Sequence, residues 1–124
     1  MSVEIALRFW KYIDSAQFDK LAEVMSSDVA VWCPNTREVY QGAKKFIDFN
    51  KAYPGRWFAN VEKTYETQSE VVTVAKVFNE DGLDFYSVSF FEFEKDKIKE
   101  ITQYWGDNSQ PPAWRIEKGL SETY

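Results

Sequence analysis

The order of apolar periods predicts an α+β fold, with helices packed on one face of a curved, mainly antiparallel sheet. Helical spacing recurs in three segments of the first half, and after Pro54-Gly55 the chain is extended in four long runs. Neither face of those runs is polar throughout, so both sides of the sheet must be covered: one by the helices, the other by a second copy of the chain. A homodimer is expected.

From Ser2 to Ile13 the residues Ile5, Phe9, Tyr12 and Ile13 share a helical face, with Ser2 available as N-cap. After Asp14-Ser15 the same period (Phe18, Leu21, Ala22, Met25) predicts a second helix up to Ser26-Ser27. Asp28–Pro34 is a β-rich run closed by proline, and Arg37–Tyr40 reads as a brief strand. Gly42 opens a third helix in which Phe46, Phe49, Asn50 and Tyr53 lie on one face, and Pro54-Gly55 stops it.

Four strands follow, over Trp57–Thr67, Glu70–Phe78, Leu83–Lys95 and Lys97–Trp105, parted by turn residues such as Glu80-Asp81-Gly82 and Lys95-Asp96. In the third of them Phe85, Ser87, Ser89, Phe91 and Phe93 alternate with Tyr86, Val88, Phe90 and Glu92. Lys76 and Glu92 interrupt apolar faces and are expected to form a cross-strand ion pair. The acidic stretch Glu80–Asp84 is too short for an EF-hand loop and reads as a solvated turn. Pro111-Pro112 forbid strand pairing in the tail, which is expected to run irregularly back over the body with Trp114 buried.

The 124 residues are read as one domain, with a core over about 2–106 and an irregular tail over 107–124. A net charge of -5 argues against a phosphate-bound partner, so no nucleic acid is expected. No membrane segment or signal peptide is expected, because Glu4, Arg8 and Lys11 interrupt the N-terminal apolar residues; with a single cysteine, the chain reads as cytoplasmic. The absence of histidine removes Ser-His-Asp triads, Cys-His pairs and His-bearing zinc sites. No metal and no cofactor is expected. Ten phenylalanines, seven tyrosines and five tryptophans exceed what a two-layer core of this length needs. They point either to a ring-lined cavity or to a ring-filled core and dimer interface.

The segments ALRFWKYIDSAQFDKLAEVMSSDVAVWCP, GAKKFIDFNKAYPG and KIKEITQYWGD, in this order, resemble the nuclear-transport-factor-2-like superfamily and within it its SnoaL-like and ketosteroid-isomerase-like bacterial members. The resemblance covers about residues 2 to 106. It implies a cone in which the sheet wraps around three N-terminal helices and encloses a pocket. The superfamily holds isomerases, polyketide cyclases, dehydratases, epoxide hydrolases and plain binding or dimerisation modules, so the fold does not settle function.

Carried onto this chain, the isomerase's tyrosine falls on Phe9, its carboxylate base on Cys33 and its protonated aspartate on Ser89, so all three are replaced. No catalytic residue is assigned. The resemblance places in the pocket Phe9 and Tyr12 from the first helix, Trp32 and Cys33 from the first strand, and Phe46 and Asn50 from the third helix. It adds Ser87, Ser89 and Phe91, then Ile101, Gln103 and Trp105, from the last two strands. Ser87, Ser89, Asn50 and Gln103 would orient a small apolar or aromatic ligand; alternatively Asn50 and Gln103 satisfy each other or buried backbone. Cys33 reads as a small buried hydrophobe, since as a nucleophile it would need Arg37 or Lys76 to lower its pKa. Two functions remain: a small-molecule binder, with or without SnoaL-like turnover, and a non-catalytic assembly module whose cone is filled by its own rings.

Overall fold

The computed structural model describes residues 2–124. Helix α1 (Ser2–Asp14) buries Ile5, Ala6, Phe9 and Trp10, one stripe of an amphipathic surface. The Trp10 indole N–H reaches across the core to Thr73 Oγ1 at 2.9 Å. Tyr12, expected on the buried face, lies at its flank, where its hydroxyl donates to Glu23 at 2.9 Å.

The expected second helix is a 3-10 helix, Phe18–Glu23, and strand β1 already begins at Met25. The reason is non-local. The Ile98 N–H donates to the Val24 carbonyl at 2.8 Å, and Met25 pairs with Ile98 across the sheet, so strand pairing captures the chain where the helical period alone would continue.

β1 (Met25–Cys33) pairs antiparallel with β2 (Glu38–Gln41). Gly42 then turns the chain at φ +100°, its N–H bonded to Val29 O at 2.7 Å, and opens α2 (Ala43–Ala52). A Cβ on Gly42 would sit 3.4 Å from the Ser27 carbonyl oxygen, so both conformation and space favour glycine. Strands β3 (Trp57–Glu66), β4 (Glu70–Asn79), β5 (Asp84–Glu94) and β6 (Lys97–Asp107) complete a six-stranded sheet in the order β2-β1-β6-β5-β4-β3. All its pairs are antiparallel except β1 with β6. Bulges between Val61 and Lys63 and between Glu92 and Phe93 bend the long strands, as curling around the helices requires.

The turns follow the chemistry of their residues. Lys95 and Asp96 both have positive φ in the two-residue β5–β6 hairpin. In the acidic β4–β5 turn, Asn79 Oδ1 accepts the N–H groups of Asp81 and Leu83, each at 3.0 Å. Lys76 does not meet Glu92: the register sets it opposite Tyr86, and its amine lies 3.4 Å from Asp84, whereas Glu92 stands between Glu70 and Glu100. The tail contains a short helix, α3 (Ala113–Lys118), stopped by Gly119 in a left-handed conformation. Within the chain Trp114 is 61% exposed, not buried, and the Arg115 guanidinium lies over its ring.

Phe9 centres the core, with ring centroids 5.2 Å from Trp10, 5.3 Å from Phe91 and 5.9 Å from Phe46. The opposite face of the sheet also carries rings: Phe58 stacks on Phe78, Phe90 meets Tyr104 edge-on, and Tyr104 is 48% exposed. Among the described residues no helix is long and apolar enough to cross a membrane.

Candidate functional site

Strand alternation and helix period together decide which side chains reach the open end of the cone. Phe46, Phe49 and Asn50 on α2, and Tyr53 just after it, line the cavity, with Tyr40 of β2 against Phe49 and Trp57 of β3 against Tyr53. From the sheet come the inward residues nearest the same end: Tyr40 on β2, Cys33 on β1, Trp105 on β6, Phe85 on β5, Val77 on β4 and Trp57 on β3. They bound a cavity of about 370 Å³.

Six of these rings follow one another around the mouth. Successive centroids are 4.5 Å apart from Tyr40 to Phe49, 5.7 Å to Tyr53, 6.0 Å to Trp57, 5.4 Å to Phe85 and 4.8 Å to Trp105. Cys33 on β1 lines the cavity between Trp105 on β6 and Tyr40 on β2. Such a collar packs edge-to-face for most of its length, a favourable arrangement for ring quadrupoles. The inner end is apolar, formed by Phe9, Trp10 and Phe46, with the Gln103 amide as its polar group.

Gln103 is 2% exposed and its Nε2 donates to Ser89 Oγ at 3.2 Å; Ser89 Oγ in turn lies 3.0 Å from Ser87 Oγ. The two serines therefore stand behind Gln103 and hold it, a satisfied buried chain. Asn50 Nδ2 donates to its own helix, to Phe46 O at 2.8 Å, and so bonds backbone, not Gln103.

Of the pocket residues expected from sequence, Phe9, Cys33, Phe46, Asn50, Gln103 and Trp105 line this cavity. Ser87, Ser89, Phe91 and Ile101 are fully buried in the core beneath it. Tyr12 is turned toward the 3-10 helix, where Arg8 also reaches its hydroxyl. Trp32 lies on the other face of the sheet, 43% exposed, with its indole N–H on Glu100 at 2.8 Å. Adjacent strand residues point to opposite faces, so Trp32 and Cys33 could not both face inward. Tyr40, Phe49, Tyr53, Trp57 and Phe85 were not assigned to the pocket from sequence. A signal existed for three of them: Phe49 and Tyr53 share the helical face of Phe46, and Phe85 shares the alternation of Ser87.

Burial raises the Cys33 thiol pKa above its ordinary value, Glu38 across the β1–β2 pair raises it further, and the hydrogen bond from Trp105 opposes both. Tyr40 is raised by the same two causes in the same order. Both groups keep their protons at neutral pH. Neither Arg37 nor Lys76 is among the causes acting on Cys33, so the cationic help a nucleophilic cysteine needs is not supplied. Among the described residues no three acidic or cysteine side chains converge as a metal site.

No family model matches the sequence, and no curated protein matches it. Solved structures do. A candidate ketosteroid isomerase from Kribbella flavida superposes with a TM-score of 0.84 at 21% identity, covering 98% of this chain and 87% of that one. An NTF2-like protein of unknown function from Burkholderia xenovorans gives 0.80 at 21% identity, covering 98% and 93%. A candidate SnoaL-like polyketide cyclase from Jannaschia gives 0.70 at 19% identity, covering 84% of each chain. At these identities the likeness shows the fold.

Proposed function

We propose that this chain, whose fold is the NTF2-like cone, is a small-molecule binding protein that holds an apolar ligand in its aromatic cavity and acts as a homodimer. The observation that carries the reading is the collar of six rings around a cavity of about 370 Å³, with a single fixed amide, Gln103, at the inner end. Apolar walls with a few placed polar groups are how small-molecule sites are built. Turnover of the isomerase type finds no support, because the three positions that would perform it hold Phe9, a protonated Cys33 and a buried Ser89 already bonded to its neighbours.

The dimer reading rests on the outer sheet face, where Phe58, Phe78, Val88, Phe90 and Tyr104 form an apolar surface across four strands. A second copy of the same face would cover it. We read residues 2–106 as the binding unit, one domain with the tail attached, and the single protonated thiol fits a reducing cytoplasm.

Uptake of the neutral fluorophore N-phenyl-1-naphthylamine tests the cavity. One molecule is expected to bind per chain, and Asn50→Phe, which puts another ring into the space, is expected to weaken uptake at least tenfold. Absence of uptake, or uptake indifferent to Asn50→Phe, would favour the assembly module with a filled cone.

A further inference from the structure

Aromatic rings present negative faces, and cations are attracted to them most strongly where water is excluded. Three charged side chains reach the mouth: Glu38, Lys51 and Arg56. Lys51 is paired with a carboxylate, and Arg56 is held by a backbone carbonyl and a ring. Lys51 Nζ lies 2.6 Å from Asp19, and the Arg56 guanidinium stacks 4.2 Å from the centroid of Phe58, on the outer side of the sheet, while donating to the carbonyl of Asp14 at 2.6 Å.

Glu38 is different. Its carboxylate accepts a hydrogen bond from the Thr36 hydroxyl at 2.6 Å and lies within hydrogen-bonding reach of the Tyr40 phenol, and among the described residues no lysine or arginine pairs with it. It lines the cavity together with Cys33, its partner across the β1–β2 pair, and Tyr40, and it disfavours ionisation of both. The net charge of -5 adds a long-range attraction for cations.

We infer that the ligand of this cavity is an organic cation, a quaternary or protonated amine with an apolar body, its nitrogen among the collar rings beside Glu38 and its body against Phe9 and Phe46. An anion beside Glu38 would meet its unneutralised carboxylate. The inference rests on the reading of the cavity as a ligand site, and the test separates the two.

Benzyltrimethylammonium and neopentylbenzene have the same shape and differ in charge. Each is titrated into the full chain, at low and high salt, with tryptophan fluorescence as readout. The cation is expected to bind at least tenfold more tightly. Glu38→Gln, at an exposed position, is expected to cut cation affinity several-fold and to leave the neutral compound unchanged, and Tyr53→Leu is expected to weaken the cation more than the neutral compound. Equal or tighter binding of neopentylbenzene would overturn the cation preference and leave an apolar site standing. A preference indifferent to Glu38→Gln would overturn the role given to that carboxylate. Failure of the cation to bind at millimolar concentration, and of neopentylbenzene up to its solubility limit, would overturn the inference and the site together.

Discussion

Cys33 shows at a single residue how environment decides chemistry. Burial and the negative charge of Glu38 act on it in the same direction, so it holds its proton more tightly in the folded chain than in the unfolded one. Alkylation at neutral pH is expected to be several-fold slower than for a free thiol, and Glu38→Gln is expected to speed it; unchanged kinetics in the variant would remove Glu38 as a cause. Tyr40 shifts in the same sense, which fixes the sign of the alkaline dependence. The stability due to these protons is complete below their unfolded pKa values and is lost as pH rises through the raised folded ones. Denaturation followed upward from pH 8 should therefore show falling stability, less steep when Cys33 is replaced by Ala. At the centre of the core, Phe9→Ala removes contacts with three rings and is expected to cost about 3–5 kcal/mol in a denaturant titration. Phe9 was legible in the sequence because helical period alone places it inward. Trp32 faces outward for an equally simple reason: of two neighbours on a strand, parity lets only one, Cys33, face the cavity.

At the level of elements, those determined by local chemistry were readable and those determined by distant pairing were not. The α2 helix follows from its period, the proline that ends it and the glycine before it. Gly42 sits at φ +100° with a carbonyl 3.4 Å from where a Cβ would be, so Gly42→Ala is expected to cost on the order of 1–3 kcal/mol by thermal denaturation. A loss near zero would mean the turn relaxes freely. The segment Phe18–Met25 has a helical period too, yet its end is drawn into β1 by pairing with β6, more than 70 residues downstream. No window of local sequence contains that partner. The Lys76 pairing failed similarly, because register, and not facing side, selects Asp84 over Glu92.

For the whole molecule, the order of segments was enough to indicate the cone, and the inward faces of the last strands were enough to find Gln103 and Trp105. The collar was beyond reach. Its six rings come from β2, α2, the α2–β3 connection, β3, β5 and β6, and only the tertiary fold makes them neighbours. The outer face makes its own prediction at this scale. Val88 and Tyr104 are paired opposite each other at its middle, so a double Val88→Glu, Tyr104→Glu variant is expected to sediment as a monomer where the parent sediments as a dimer. A monomeric parent would contradict the covered-face argument.

The five tryptophans offer the most direct test of the central claim, that the ring-collared cavity is a ligand site. Trp57 and Trp105 belong to the collar and Trp10 to its inner end, whereas Trp32 and Trp114 lie outside. In a nitrogen-15 correlation spectrum each contributes one indole N–H signal. Titration with N-phenyl-1-naphthylamine should shift the signals of Trp57 and Trp105 together and leave those of Trp32 and Trp114 in place. Shifts confined to Trp32 or Trp114, or none at all, would contradict the account.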